Sequence, residues 1–252
     1  MFSAPGSDDH LFLSTQPAGA KERRAALAIV IVSAAIFVMI APFAKVPLPP
    51  LPTFVAVYQS ALVVNDLITA AFLFTQFGIV RSRSILLLAS AYLFTALMAT
   101  AHALTFPGLF SPTGLLGAGP QSTAWLYMFW HVGFPFLVLA YTWTHRRERP
   151  DESRNMCDRN AVLLCLAATT VAAGGLVLLA THGQTLLPAI MQSHNYTSAM
   201  TVVIASVWAL SVAALFAVWR RRPHSVLDLW LLVVLCAWTF DIALSAMLNA
   251  GR

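Results

Sequence analysis

The chain has 252 residues, of which 59% are hydrophobic and only 10% charged; soluble domains carry about 25% charge, so a globule facing water all round is excluded. Its mean hydropathy of +0.75 comes from long, nearly charge-free runs, which identify lipid as the solvent. The net charge of +5 does not make it a nucleic-acid binder, because the basic residues sit in short clusters between apolar runs, where a membrane protein carries its orientation signal.

A polar leader over residues 1–20 is expected to be disordered. The apolar run behind it is too long for a signal-peptide core and lacks a clear cleavage site, so it is read as a retained membrane helix. With roughly 20 apolar residues needed to cross a bilayer, the predicted spans are 25–44, 56–78, 84–104, 123–143, 160–180, 198–218 and 226–248. The fold class is therefore an all-α membrane protein, a polytopic helical bundle with seven spans.

Lys21, Arg23 and Arg24 precede the first span. Arg81 and Arg83 follow the second, Arg146, Arg147, Arg149, Arg154 and Arg159 the fourth, and Arg220, Arg221 and Arg222 the sixth. The alternate connections hold only Lys45, with Arg252 at the far end. The positive-inside bias puts the N-terminus in the cytoplasm. It turns PLPPLP (47–52), FPGLFSPTGLLGAGP (106–120) and the stretch from His182 to His194 outward. Seven spans from a cytoplasmic start end outside, so a cytoplasmic output module needs an eighth. Residues 21–252 are accordingly expected to form a membrane domain that is incomplete at its C-terminus. Cys157, Cys165 and Cys236 show no zinc spacing, and no internal repeat, phosphate loop or nucleophile elbow is visible.

Polar side chains are expensive at membrane depth and mark function by default. The second span carries Gln59, Asn65, Asp66 and Thr69, with Asp66 one face-repeat beyond Gln59. The seventh carries Asp241, Ser245 and Asn249 at successive turns beside Trp238. His102 ends the third span and His131 lies about two turns inside the fourth. Most of these groups fall in the outer half, which suggests a pocket open to the outer face. Each histidine can equally be an interhelical contact. Trp125, Tyr127 and Trp130 read as an aromatic belt at the interface. In FWHVGFPF (129–136), Pro135 cannot donate to the carbonyl of His131. A kink eased by Gly133 is expected there, with a free acceptor beside the imidazole. Pro42, Gly133 and Pro135 are the hinge candidates.

APFAKVPLPPLPTFVAVYQSALVVNDLITA (41–70), ASAYLFTALMATAHALTFPGLF (89–110) and LLGAGPQSTAWLYMFWHVGFPF (115–136) resemble the membrane-associated sensor domain of the fourth type. That bacterial family usually lies N-terminal to a GGDEF diguanylate cyclase or a histidine kinase. The likeness runs from about residue 21 to the end and is most specific over 41–136. It implies a non-catalytic input module in the bacterial inner membrane, feeding cyclic di-GMP or kinase signalling through a cytoplasmic output module or partner. The lipid bilayer and a second copy of the chain are the other expected partners. The candidate sensing residues are His102, His131, Asn65, Asp66 and Asp241. A haem- or metal-binding redox protein with His102 and His131 as ligands is a second reading. A proton-coupled transporter using Asp66 and Asp241 is a third.

Overall fold

The computed structural model describes residues 16–44, 46, 52–147, 158–192, 195–222 and 224–249. The PLPPLP stretch is described only at Pro52. Residues 1–15 of the leader, Lys45, Arg149, Arg154, Cys157, His194, the Asn249 side chain and the C-terminal Arg252 lie outside the described residues.

Seven long helices form, with most boundaries within two residues of those predicted and all within five. They are α1 (Ala20–Ile40), α2 (Pro52–Val80), α3 (Arg83–Thr105), α4 (Ser122–Arg147), α5 (Asp158–Thr181), α6 (Ser198–Trp219) and α7 (Val226–Asn249). All seven are long and apolar enough to cross a membrane, which is the form an apolar chain must take where lipid offers its backbone no hydrogen bonds. The hydropathy pattern did not reveal a small hairpin, β1 (Met191–Gln192) paired antiparallel with β2 (Asn195–Tyr196), before α6.

α3 is the central helix, with 78% of its apolar stretch buried. Its sequence explains why: Ser84, Ala89, Ser90, Ala91, Thr95, Ala96, Ala99 and Ala101 are all small and buried, and small residues let helix backbones approach closely in lipid. α2, α4 and α5 pack around it, α6 and α7 pair with each other, and α4 bridges to α6. α1 lies at the edge against α7, with only 6% of its apolar stretch buried. One core cluster, around Met98, Leu126, Met128 and Ile242, fills one end of the bundle. A second, around Phe77, Leu88, Phe134 and Leu235, fills the other.

The helices alternate in direction, so the described arginine clusters gather at a single end. Backbone pairing fixes that arrangement: the Ala18 amide donates to the His224 carbonyl (3.1 Å) and the Val226 amide to the Gln16 carbonyl (3.0 Å). The start of α1 thus lies beside the α6–α7 connection. There Ser225 and Asp228 form a reciprocal cap of α7 (Ser225 N to Asp228 Oδ2, 3.2 Å; Asp228 N to Ser225 Oγ, 3.1 Å). The same carboxylate pairs with Arg221 at 3.1 Å and accepts from the Tyr141 hydroxyl, joining α4 to α7 at this arginine end.

The opposite end is closed by ordered connections. Gln121 Oε1 accepts from the amides of Ile190 and Met191 (3.0 and 2.9 Å), and Ser122 Oγ donates to the Ala180 carbonyl (2.8 Å). Thr123 Oγ1 donates to the Thr105 carbonyl at 2.9 Å. Gly114, at φ +85°, runs so close to the Thr105 carbonyl that a Cβ would overlap it, a backbone that only glycine adopts without strain. These ties hold the 106–121 connection and residues 182–192 of the α5–α6 connection over the bundle mouth.

Candidate functional site

α4 presents Tyr127, Trp130 and His131 to the interior just below the capped end. His131 is 2% exposed. Its Nδ1 lies 2.7 Å from the Tyr127 carbonyl one turn back, and its Nε2 lies 2.9 Å from Asp241 Oδ2 on α7. Its ring centroid lies 3.9 Å from that of Tyr127, at a tilt of 35°, and stands 4.9 Å from Trp130 and 4.8 Å from Trp238. The Tyr127 hydroxyl donates to the same Asp241 oxygen at 2.9 Å and lies 2.8 Å from Ser245 Oγ. With its single proton on Asp241, the phenol must accept from Ser245.

A carbonyl only accepts, so Nδ1 of His131 must carry hydrogen. The other ring nitrogen then faces a carboxyl group, and that contact also needs a proton, held by the imidazole or by Asp241. Both contacts act as hydrogen bonds together only when the pair holds one proton more than a neutral imidazole beside a carboxylate. Asp241 is 48% exposed on its side chain, so its carboxyl group reaches the protein surface while His131 stays in the core.

The carbonyl that Pro135 leaves without a backbone donor is not idle. Trp238 Nε1 donates to the His131 carbonyl at 3.3 Å. The expectation of a freed acceptor beside the imidazole holds, and α7 fills it. α4 is assigned as one unbroken helix through Pro135. Gly133 has a packing role: a Cβ there would overlap the Phe94 ring of α3. Pro42 lies in a single 3-10 turn, Ala41–Phe43, that ends α1.

His102, also buried, faces α2 and pairs through Nδ1 with the Gln59 side chain. Its ring is 6.0 Å from Tyr127 and 6.2 Å from Trp130, so both histidines border the same two aromatic rings. Beside it, Gln59 Oε1 and Trp130 Nε1 are buried without a hydrogen-bond partner among the described residues. A cleft of about 640 Å³ opens between α6 and α7 near this end, lined by Thr197, Thr201, Trp208, Ala246 and Met247 among others.

Asp66 belongs to a separate contact. It accepts from Thr95 Oγ1 of α3 at 2.7 Å, seven residues along the same buried face of α2 from Gln59. Asn65 is not brought to either cluster: its side chain is exposed, and its carbonyl accepts from Thr69. Helix rotation separates the neighbours 65 and 66, turning one outward and one inward. The aromatic-belt reading is corrected as well. Trp125 and Trp130 are buried, Trp125 Nε1 donates to the Pro188 carbonyl, and Tyr127 is the hub of the polar cluster.

As a metal or haem centre the pair does not fit. Both nitrogens of His131 are engaged, so coordination would have to break a contact to Tyr127 or Asp241. No group of three or more His, Cys, Asp or Glu placed to hold a metal occurs among the described residues.

The family model described as a membrane-associated sensor, integral membrane domain, MASE4, matches residues 49–251, which take in α2 to α7 and every side chain of the polar cluster. No curated protein and no solved structure matches the chain. On a match of that extent, covering all the helices that build the site, the chain belongs to the MASE4 family of integral membrane sensor domains.

Proposed function

We propose that the chain is the input module of a bacterial signalling system and that its sensing centre is the α4–α7 junction at His131, Tyr127, Asp241 and Ser245. The observation that carries this reading is the 2.9 Å contact between Nε2 of buried His131 and Oδ2 of half-exposed Asp241. A proton change or a polar ligand at Asp241 alters the tie between two helices directly. For the tie to act as a switch, the stimulus must bind its closed and open forms with different affinity. The positive-inside bias supports an arginine end in the cytoplasm and a cluster in the outer half of the inner membrane. The output is then a cytoplasmic diguanylate cyclase or kinase, and this chain contributes no catalysis.

The test measures cellular cyclic di-GMP, or phosphorylation of the partner kinase, in the native host carrying wild type, Asp241→Asn or Tyr127→Phe. Both substitutions keep the side-chain outline. Each should shift the output several-fold while leaving the amount of membrane-inserted protein unchanged. Wild-type output from both variants would sink the assignment.

The cofactor alternative has its own check. A visible spectrum of purified, haemin-supplied protein should be the same for wild type and His131→Gln, because His131 has no nitrogen to offer iron. Loss of a Soret band in the variant would restore the haem reading.

A further inference from the structure

We propose that the groove between α1, α6 and α7 at the arginine end binds an anionic phospholipid, its phosphate held by Arg23, Arg220 and Arg222 and one acyl chain laid between the helices. The groove encloses about 470 Å³. Its walls run from Arg23 to Val30 on α1, from Trp219 to Val212 on α6 and from Leu229 to Cys236 on α7. Seven residues at a rise of about 1.5 Å give each wall a length of about 10 Å. The three walls start together at the arginine end, so the slot has one polar mouth and an apolar body.

The mouth is basic for reasons visible in the contacts. Arg222 lies over the Trp219 ring at 5.5 Å, and Arg220 over the Phe216 ring at 5.7 Å. Phe216 and Trp219 both line the groove. Stacking holds a guanidinium while leaving its edge donors directed outward, the geometry that suits a phosphate diester. Arg221, between them in sequence, is committed to Asp228 and lies over Tyr141, so the two flanking arginines serve the groove. Glu22 is the acidic residue of the first turn of α1, and it leaves the mouth net positive against three guanidiniums. A headgroup of opposite charge with an apolar tail matches both halves of this slot. α1 precedes the segment matched by the family model, so the site combines that segment with the helix before it.

The experiment uses Trp219 as the reporter. The full chain is reconstituted in vesicles containing phosphatidylglycerol or phosphatidylcholine with brominated acyl chains, at equal mole fraction. The Trp219 contribution to quenching is the difference between wild type and Trp219→Phe. It should be at least about threefold greater with the anionic lipid, since each basic residue near a membrane surface adds appreciable binding. Arg23→Gln combined with Arg220→Gln and Arg222→Gln should abolish the preference. A version with Arg146→Gln and Arg147→Gln should keep it, which separates the groove from loss of general charge. Equal quenching by the two lipids in wild type would overturn the proposal and leave ordinary lipid solvation. No Trp219-dependent quenching by either would overturn it too, since protein, such as a second copy of the chain, would then fill the groove.

Discussion

His131→Ala is expected to lower the stability of the bundle by about 3 kcal/mol, a large-to-small change in a well-packed interior. The ring is almost wholly buried between Tyr127, Trp130 and Trp238, so its removal opens a cavity that these aromatic groups cannot easily fill. The two polar contacts contribute less than the packing, because hydrogen bonds inside membrane proteins average about 0.6 kcal/mol. Asp241→Asn should therefore cost about 1 kcal/mol or less, since the amide still accepts from Tyr127 and the position is half-exposed. Thermal unfolding of the two variants and their double mutant in detergent checks this ranking. Equal damage from both single substitutions would mean that the ion pair, not the packing, holds α4 to α7.

That ranking turns on contacts that a single sequence reveals only in part. The spans were legible because lipid leaves an apolar run no alternative to helix. The shared face of Gln59 and Asp66 was legible from seven-residue spacing. Their partners, His102 and Thr95, were not, because an all-apolar helix carries no periodicity to fix its rotation. Tyr127 shows the limit plainly. In sequence it is one of several aromatic residues near a span end, indistinguishable from an interface anchor, and only the position of Asp241 more than a hundred residues later makes it a hub. The freed carbonyl of His131 was predictable from Pro135 alone, since proline chemistry is local. Its donor, Trp238, required the tertiary fold. Gln121, which secures the connection over the site by three hydrogen bonds, gave no signal beyond being a polar residue at a helix start.

Gly133 gives the second large effect, and it separates packing from hinge motion. Helix propensity alone favours alanine over glycine by about 1 kcal/mol. The structure opposes that gain, because the new methyl group would overlap the Phe94 ring of α3. Phe94 is only 5% exposed and stands among buried neighbours, so the ring has no open space to enter. Overpacking of this kind costs about 1–3 kcal/mol, and Gly133→Ala is expected to be destabilising on balance. Phe94→Leu in the same chain should recover most of the loss by vacating the space the methyl needs, a non-additivity that residues in direct contact show. The measurement is the unfolding midpoint of both single variants and the double variant, alongside the signalling output of each. Compensation in the double variant assigns Gly133 to close α3–α4 packing. A Gly133→Ala protein that melts like wild type while its output changes would instead make the glycine a point of motion beside Pro135.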